Sequence, residues 1–279
     1  MKVYVSNYLS RSISILDYST LEFERDIKLD ENIYPHNFCI DNRQQLAYIP
    51  SSLDGELYVL DLSIGKIIDN ISIGGKLTNI ALCNDELFIS NEDSNSIYIL
   101  DVKTSNPIGV IGVDNMPHGF DIDSINNRLY VACINSIICI DTISKSICKK
   151  IDTDFKSWHV KLDRNKKEIY TSTLDGKVVV IDEESLKIIK IIDEFLLPKK
   201  IYVADMGYKK VMILDYDTGK VLDYINIDGD PQGIQISNDY KLLFISDTKN
   251  NLIKVYNTSD NTLIKNIEVG KEPTTILCM

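Results

Sequence analysis

Gly233-Ile234-Gln235-Ile236, Leu242-Leu243-Phe244-Ile245-Ser246, Leu252-Ile253-Lys254-Val255-Tyr256 and Leu263-Ile264-Lys265-Asn266-Ile267 follow one another within residues 233–267. Each run is rich in β-branched, aliphatic and aromatic residues, which suit a pleated, half-buried surface. Between them stand Asn, Asp, Ser and Lys, the chemistry of turns. The stretch therefore reads as four short antiparallel strands, A to D, of one sheet.

The same pattern runs through the whole chain. A strand, a loop and a second strand closing on an acid or amide recur seven times, the first strands being Val3–Asn7, Ala47–Ser51, Leu87–Asn91, Leu129–Cys133, Ile169–Thr173, Ile201–Asp205 and Leu243–Asp247. The closing residues are Asp17, Asp61, Asp101, Asp141, Asp182, Asp215 and Asn257, at spacings of 44, 40, 40, 41, 33 and 42. Counting on from Asn257 past Met279 and round to Asp17 gives 39, so the repeat closes on itself. A period of about 40 residues with four strands marks a β-propeller, in which radial repetition leaves only short sheet edges. The expectation is one all-β domain, residues 1–279, of seven blades. The chain begins at a strand B and ends on Pro273-Thr274-Thr275-Ile276-Leu277-Cys278-Met279, which reads as a strand A. Residues Thr274 to Cys278 should therefore pair with Lys2 to Asn7 and clasp the two ends.

The passages Ile201-Tyr202-Val203-Ala204-Asp205, Leu214-Asp215-Tyr216-Asp217-Thr218-Gly219-Lys220 and Asp230-Pro231-Gln232-Gly233-Ile234-Gln235-Ile236-Ser237-Asn238-Asp239 resemble the YVTN family of β-propeller repeats. The resemblance covers nearly the whole chain and implies the fold. Such propellers occur in surface layers, exported proteins and subunits of redox enzymes, and the motif is scaffold, so no catalytic residue is implied.

The 30 Lys+Arg against 41 Asp+Glu give a net charge of −11 and a pI near 4.8. A surface this negative repels phosphate backbones and anionic lipid, so neither nucleic acid nor membrane is an expected partner. The start of the chain has no secretory h-region, and no apolar run reaches the roughly 18 residues of a membrane span. The expectation is a cytoplasmic monomer. Six cysteines without a CxxC are expected to be reduced. A hairpin pairing Asp141 with Ser146 would set Cys139 directly opposite Cys148.

The Asp closing each strand C is expected to cap a turn. The stretch from Asp215 fails as an EF-hand, with Lys220 where Gly and Asn226 where Glu is required. Gly74-Gly75-Lys76-Leu77 lacks the P-loop hydroxyl, and GxGxxG, HExxH and GxSxG are missing.

The three histidines share one place in the repeat. At the start of strand A the units read Pro35-His36-Asn37-Phe38, Leu77-Thr78-Asn79-Ile80, Pro117-His118-Gly119-Phe120, Ser157-Trp158-His159-Val160, Pro231-Gln232-Gly233-Ile234 and Pro273-Thr274-Thr275-Ile276. In a propeller these positions line one mouth of the central channel, which predicts a ligand site of His36, His118, Trp158, His159, Gln232 and Thr274. His36, His118 and His159 are the candidate ligands of a divalent metal. Two breaks of symmetry lie nearby. The strand B-to-C loops around Cys133 to Ser136 and Leu174 to Lys177 are trimmed, and the 33-residue spacing leaves the sixth blade without most of its inner strand, reduced to Leu196-Leu197-Pro198. The reading is a non-enzymatic binding scaffold that presents one propeller face to a protein or small ligand. The alternative is a metal-dependent enzyme or binder using the three histidines.

Overall fold

A computed structural model of the chain describes residues 1–164, 166–174, 177–192, 200–215 and 219–279. The fold is an all-β seven-bladed propeller of antiparallel sheets. In order A to D, the first sheet contains Pro273–Cys278, Lys2–Asn7, Ser12–Asp17 and Glu22–Lys28. The second contains Cys39–Asp41, Leu46–Pro50, Glu56–Asp61 and Lys66–Ser72, and the third Leu77–Cys83, Glu86–Asn91, Ser96–Asp101 and Pro107–Gly112. The fourth contains Phe120–Asp123, Arg128–Cys133, Ser136–Asp141 and Ser146–Asp152, and the fifth Ser157–Asp163, Glu168–Thr173, Val178–Asp182 and Ile188–Ile192. The seventh contains Pro231–Ile236, Leu242–Asp247, Leu252–Asn257 and Leu263–Glu268. The sixth has three strands among the described residues, Lys200–Asp205, Lys210–Asp215 and Val221–Asn226, in keeping with the short spacing. Leu196-Leu197-Pro198 lies outside the described residues.

Contacts divide the chain into two compact units. One comprises Met1–Ile49, Val59–Asp69 and Glu194–Met279, the other Pro50–Tyr58 and Asn70–Asp193. In the first, Val3, Val5, Leu16, Phe244, Ile253, Val255 and Ile276 form one core cluster. In the second, Phe88, Leu129, Val131, Ile138 and Ile140 lie in the core. Strands B and C are buried on both faces, so they read as unbroken apolar runs rather than alternating ones. In five blades strand D buries a single residue, an isoleucine near its end: Ile27, Ile111, Ile151, Ile225 and Ile267. That residue anchors the outer strand.

The closing Asp does cap the C-to-D hairpin. Asp17 Oδ1 accepts from the Ser19 and Thr20 amides, Asp61 from Ser63 and Ile64, Asp101 from Lys103 and Thr104, and Asp141 from Ile143 and Ser144. The Ser19 hydroxyl foremost, with the Thr20 amide, holds the Asp17 carboxyl well below the usual carboxylate range. Four residues beyond each closing residue the backbone is left-handed: Leu21, Gly65, Ser105, Lys145, Leu186, Gly219 and Asn261. A four-residue turn ending in that conformation delivers strand D with one extra residue, a β-bulge.

The bulge corrects one expected register. Asp141 pairs with Ser146 and Ile140 with Ile147, but Cys139 pairs with Lys149, and Cys148 is the unpaired residue. The displacement is general, because Glu24, Ile108, Ile189, Leu222 and Ile264 are skipped in the same way.

A second bulge opens strand A, at Thr78, at Trp158, at Gln232 with Gly233, and where the clasp shifts register between Val5 and Asn7. The amide freed there finds a strand-B hydroxyl. Asn79 N donates to Ser90 Oγ at 2.8 Å, His159 N to Ser172 Oγ at 3.3 Å, Gly233 N to Ser246 Oγ at 2.6 Å and Thr275 N to Ser6 Oγ at 3.0 Å. The Ser of the repeated Tyr/Phe-Val/Ile-Ser motif is thus a backbone acceptor.

The clasp forms as expected. Val3 pairs with Cys278, Tyr4 with Leu277 and Val5 with Ile276. Ile276 is 4% exposed, so Ile276→Ala should cost about 2–4 kcal/mol in urea unfolding. Gly65 has φ +68°, and an added Cβ would meet Ile27 and Arg25 only at ordinary van der Waals distance, the nearest atom being 3.6 Å away. Backbone strain alone should make Gly65→Ala cost about 1–2 kcal/mol, while the exposed neighbour Ile64→Ala stays within about 0.5 kcal/mol by the same measurement.

Candidate functional site

The residues singled out by the repeat fall into two groups, one in each unit. In the unit holding both termini, His36 Nε2 lies 3.3 Å from Gln232 Nε2. The His36 carbonyl accepts from Ser6 Oγ at 3.1 Å, Thr274 Oγ1 at 3.0 Å and Thr275 Oγ1 at 2.8 Å. The Gln232 side-chain oxygen Oε1 takes a hydrogen bond from Thr248 Oγ1 at 3.2 Å. His36 is exposed and edge-on to Tyr8 at 6.3 Å between ring centroids. Much of this group's hydrogen bonding stitches one blade's backbone to the next.

The other group gathers rings. His118 stacks on Trp158, with centroids 3.8 Å apart and planes 24° from parallel, and His159 meets His118 edge-on at 5.0 Å. The sequence places these three side chains through two devices. Trp158 is the bulged residue of its strand, pairing resuming at His159 with Ser172, and a bulge re-aims a side chain. The His118 loop is fixed by its own backbone: His118 N donates to Ala132 O at 3.0 Å, Ala132 N to Gly119 O at 2.8 Å, and Gly119 N to Trp158 O at 3.1 Å. A Cβ on Gly119 would fall 2.4 Å from His159 Nδ1 and 2.8 Å from Trp158 O, so this contact requires glycine.

Behind the rings lies a carboxylate that the sequence reading missed. The Glu92 side chain is 5% exposed; Oε2 is ion-paired to Lys76, whose carbonyl also takes the Glu92 amide at 2.9 Å. Oε1 is buried without a hydrogen bond and stands 3.9 Å from His118 Nε2. That is too long for a hydrogen bond, and it becomes an ion pair when the imidazole is protonated. A signal for Glu92 existed. Its column holds Tyr8, Ser52, Ile134, Leu174, Met206 and Thr248 in the other blades, and only here an acid.

Access is set by short connections. The turn between Cys133 and Ser136 is cut to Ile134-Asn135. In the next blade the Thr173 amide donates to Lys177 O at 2.9 Å, and residues 175–176 lie outside the described residues. Trp158 is half-buried and His159 exposed. Among the described residues no group of three or more His, Cys, Asp and Glu is gathered to hold a metal ion.

No family model matches the chain. It is 25% identical over 238 residues to Antigen Lp49 of Leptospira interrogans serogroup Icterohaemorrhagiae serovar copenhageni (strain Fiocruz L1-130), across 72% of this chain and 52% of that protein. The chain thus spans about half the length of the curated relative it matches. Among solved structures, Kuenenia stuttgartiensis hydrazine synthase matches with a TM-score of 0.74 and 17% identity over 88% of this chain and 90% of that one. Dihydro-heme d1 dehydrogenase NirN, solved in complex with DHE, matches with a TM-score of 0.71 and 13% identity over 99% and 74%. These likenesses show the seven-bladed fold.

Trp158 is the only tryptophan, so its emission reports directly on this group. A double-mutant cycle of His118→Ala and Trp158→Ala should give a coupling of about 0.5–1.5 kcal/mol in unfolding free energy. His118→Ala alone should red-shift the emission as water reaches the uncovered indole face.

Proposed function

We propose that the protein is a non-enzymatic binding module and that it takes a small planar ligand on the Trp158, His118 and His159 rings. The observation that carries this is the stack of His118 on a half-buried Trp158. The imidazole covers one face of the indole and fixes its plane, leaving the ring pre-ordered for a second partner. Pre-ordering of this kind lowers the cost of binding. His159, exposed at the edge, offers a polar contact that orients the ligand. Glu92, tied by Lys76, keeps a charge beneath His118.

His36, Gln232 and Thr274 form the polar counterpart in the other unit, where their contacts run largely to one another and to backbone. The three-histidine metal site does not enter the proposal, because the described donors are not gathered as an ion requires. The net charge of −11 supports a ligand other than nucleic acid or anionic membrane. Six free thiols support residence in a reducing compartment such as the cytoplasm.

The test is a panel of flat heterocycles (purine nucleosides, pterins and flavins) screened by quenching of Trp158 emission, with hits measured by calorimetry. A hit should bind wild type and lose about tenfold or more in affinity on His159→Ala or Trp158→Ala, the worth of one lost stacking contact. A panel without saturable binding, or hits that bind both the His159→Ala and the Trp158→Ala variants as tightly as wild type, would overturn the reading.

A further inference from the structure

Cys139 and Cys148 lie on the adjacent strands Ser136–Asp141 and Ser146–Asp152, and both are free thiols. The strand-D bulge that removes Cys148 from the register also turns it back on its neighbour. Its thiol lies 3.2 Å from Cys139 Sγ and donates to the Cys139 carbonyl at 3.3 Å. Of the six cysteines Cys148 alone is exposed, whereas Cys139 is 2% exposed. Arg128 is ion-paired to Asp141 and close enough to both sulfurs to interact with them electrostatically. Lys149, which sits across from Cys139 in the register, is directed away to the carbonyls of Glu183 and Glu184.

We propose that Cys148 and Cys139 form a reversible thiol-modification site that accepts low-molecular-weight disulfides, Cys148 as the attacking and Cys139 as the resolving thiol. In the first step the Cys148 thiolate attacks one sulfur of the small disulfide. The small S–S bond breaks, a mixed disulfide forms on Cys148, and one small thiolate leaves. In the second step the Cys139 thiolate attacks the Cys148 sulfur. The mixed disulfide breaks, the Cys139–Cys148 bond forms, and the second small thiolate leaves. The protein loses two electrons and two protons, and the small disulfide gains the electrons as two thiols. The site needs no opening of the fold, because the attacking sulfur is at the surface and the resolving one is already its neighbour.

Selectivity has a physical basis. Attack requires the thiolate and access to solvent. Burial pushes the Cys133 and Cys278 thiols up to about 12 and raises Cys83 and Cys39 as well. The Cys139 thiol is also pushed up to about 12 by burial, which keeps it from attacking a small disulfide first and leaves its closeness to the Cys148 sulfur to drive the second step.

The test treats the folded protein with glutathione disulfide and follows intact mass and the peptide map. Wild type should lose two hydrogens per chain, show a peptide linking Cys139 to Cys148, accumulate little mixed disulfide, and revert with dithiothreitol. Cys139→Ser should stop at a stable mixed disulfide on Cys148. Cys148→Ser should react about tenfold more slowly or less. A stable mixed disulfide on wild-type Cys148, a link involving any other cysteine, or an unchanged rate in Cys148→Ser would each overturn the proposal. The wild-type map decides the first two outcomes without any variant, and Cys139→Ala and Cys148→Ala replace the serine variants should either misfold.

Discussion

A backbone amide set free by a bulge inside a buried sheet must find an acceptor, and in this fold the strand-B serine hydroxyl supplies it. Ser246 Oγ takes the Gly233 amide and donates in turn to the Thr274 carbonyl of the next blade at 3.0 Å. Ser6 Oγ takes the Thr275 amide and reaches the His36 carbonyl at 3.1 Å. One hydroxyl therefore satisfies the bulge within its own blade and ties that blade to its neighbour. With this acceptor the bulge leaves no buried amide unpaired, and the residues it re-aims are those at the start of strand A.

The hairpins at the other end of each strand C are held by charge and backbone geometry. Hydrogen bonds depress the carboxyls of Asp17, Asp61, Asp101, Asp141 and Asp182, the largest contributions coming from Ser19, Ser63, Thr104, the Ser144 amide and Ser185 respectively. A carboxyl whose folded value is depressed contributes stability that is present above its unfolded value near 4 and is lost as pH falls through the folded one. The turns are thus designed for neutral solution. The left-handed residue after each closing Asp or Asn is Gly or Asn at only three of seven places, Gly65, Gly219 and Asn261. Elsewhere Leu, Ser and Lys take the strain, because the capped turn over-determines it.

Blade number, the terminal clasp and the three-stranded sixth sheet were legible from spacing, since a repeat that closes on itself admits few alternatives. The register of Cys139 was not, because a strand-D bulge leaves no mark on residues chosen for their exposed face. The mark lies four residues after the Asp, where Gly65, Gly219 and Asn261 signal the left-handed turn. At the candidate site, the column alignment put His36, His118, Trp158, His159, Gln232 and Thr274 into a single group; it did not separate the ring contacts of His118, Trp158 and His159 from the hydrogen bonds that join His36 to Gln232 and Thr274. It did not reveal Glu92 or Lys76, whose pairing depends on burial between strands rather than on a motif.

The ring group arises where the serine rule is broken. Gly119 occupies the same repeat position as Gly233, and Trp158 the same position as Thr274. In the seventh blade Ser246 stands between the glycine amide and the next blade's carbonyl. In the fourth blade the serine column holds Ala132, and the Gly119 amide reaches the Trp158 carbonyl directly at 3.1 Å. Loss of the hydroxyl therefore removes a spacer: the His118 loop closes on the Trp158 bulge, and the two rings come into contact as a consequence of that backbone bond. A serine restored at Ala132 would give the Gly119 amide an acceptor within its own blade and remove the reason for the close approach. The ring stack is thus built by one backbone hydrogen bond that no other blade makes in this form among the described residues.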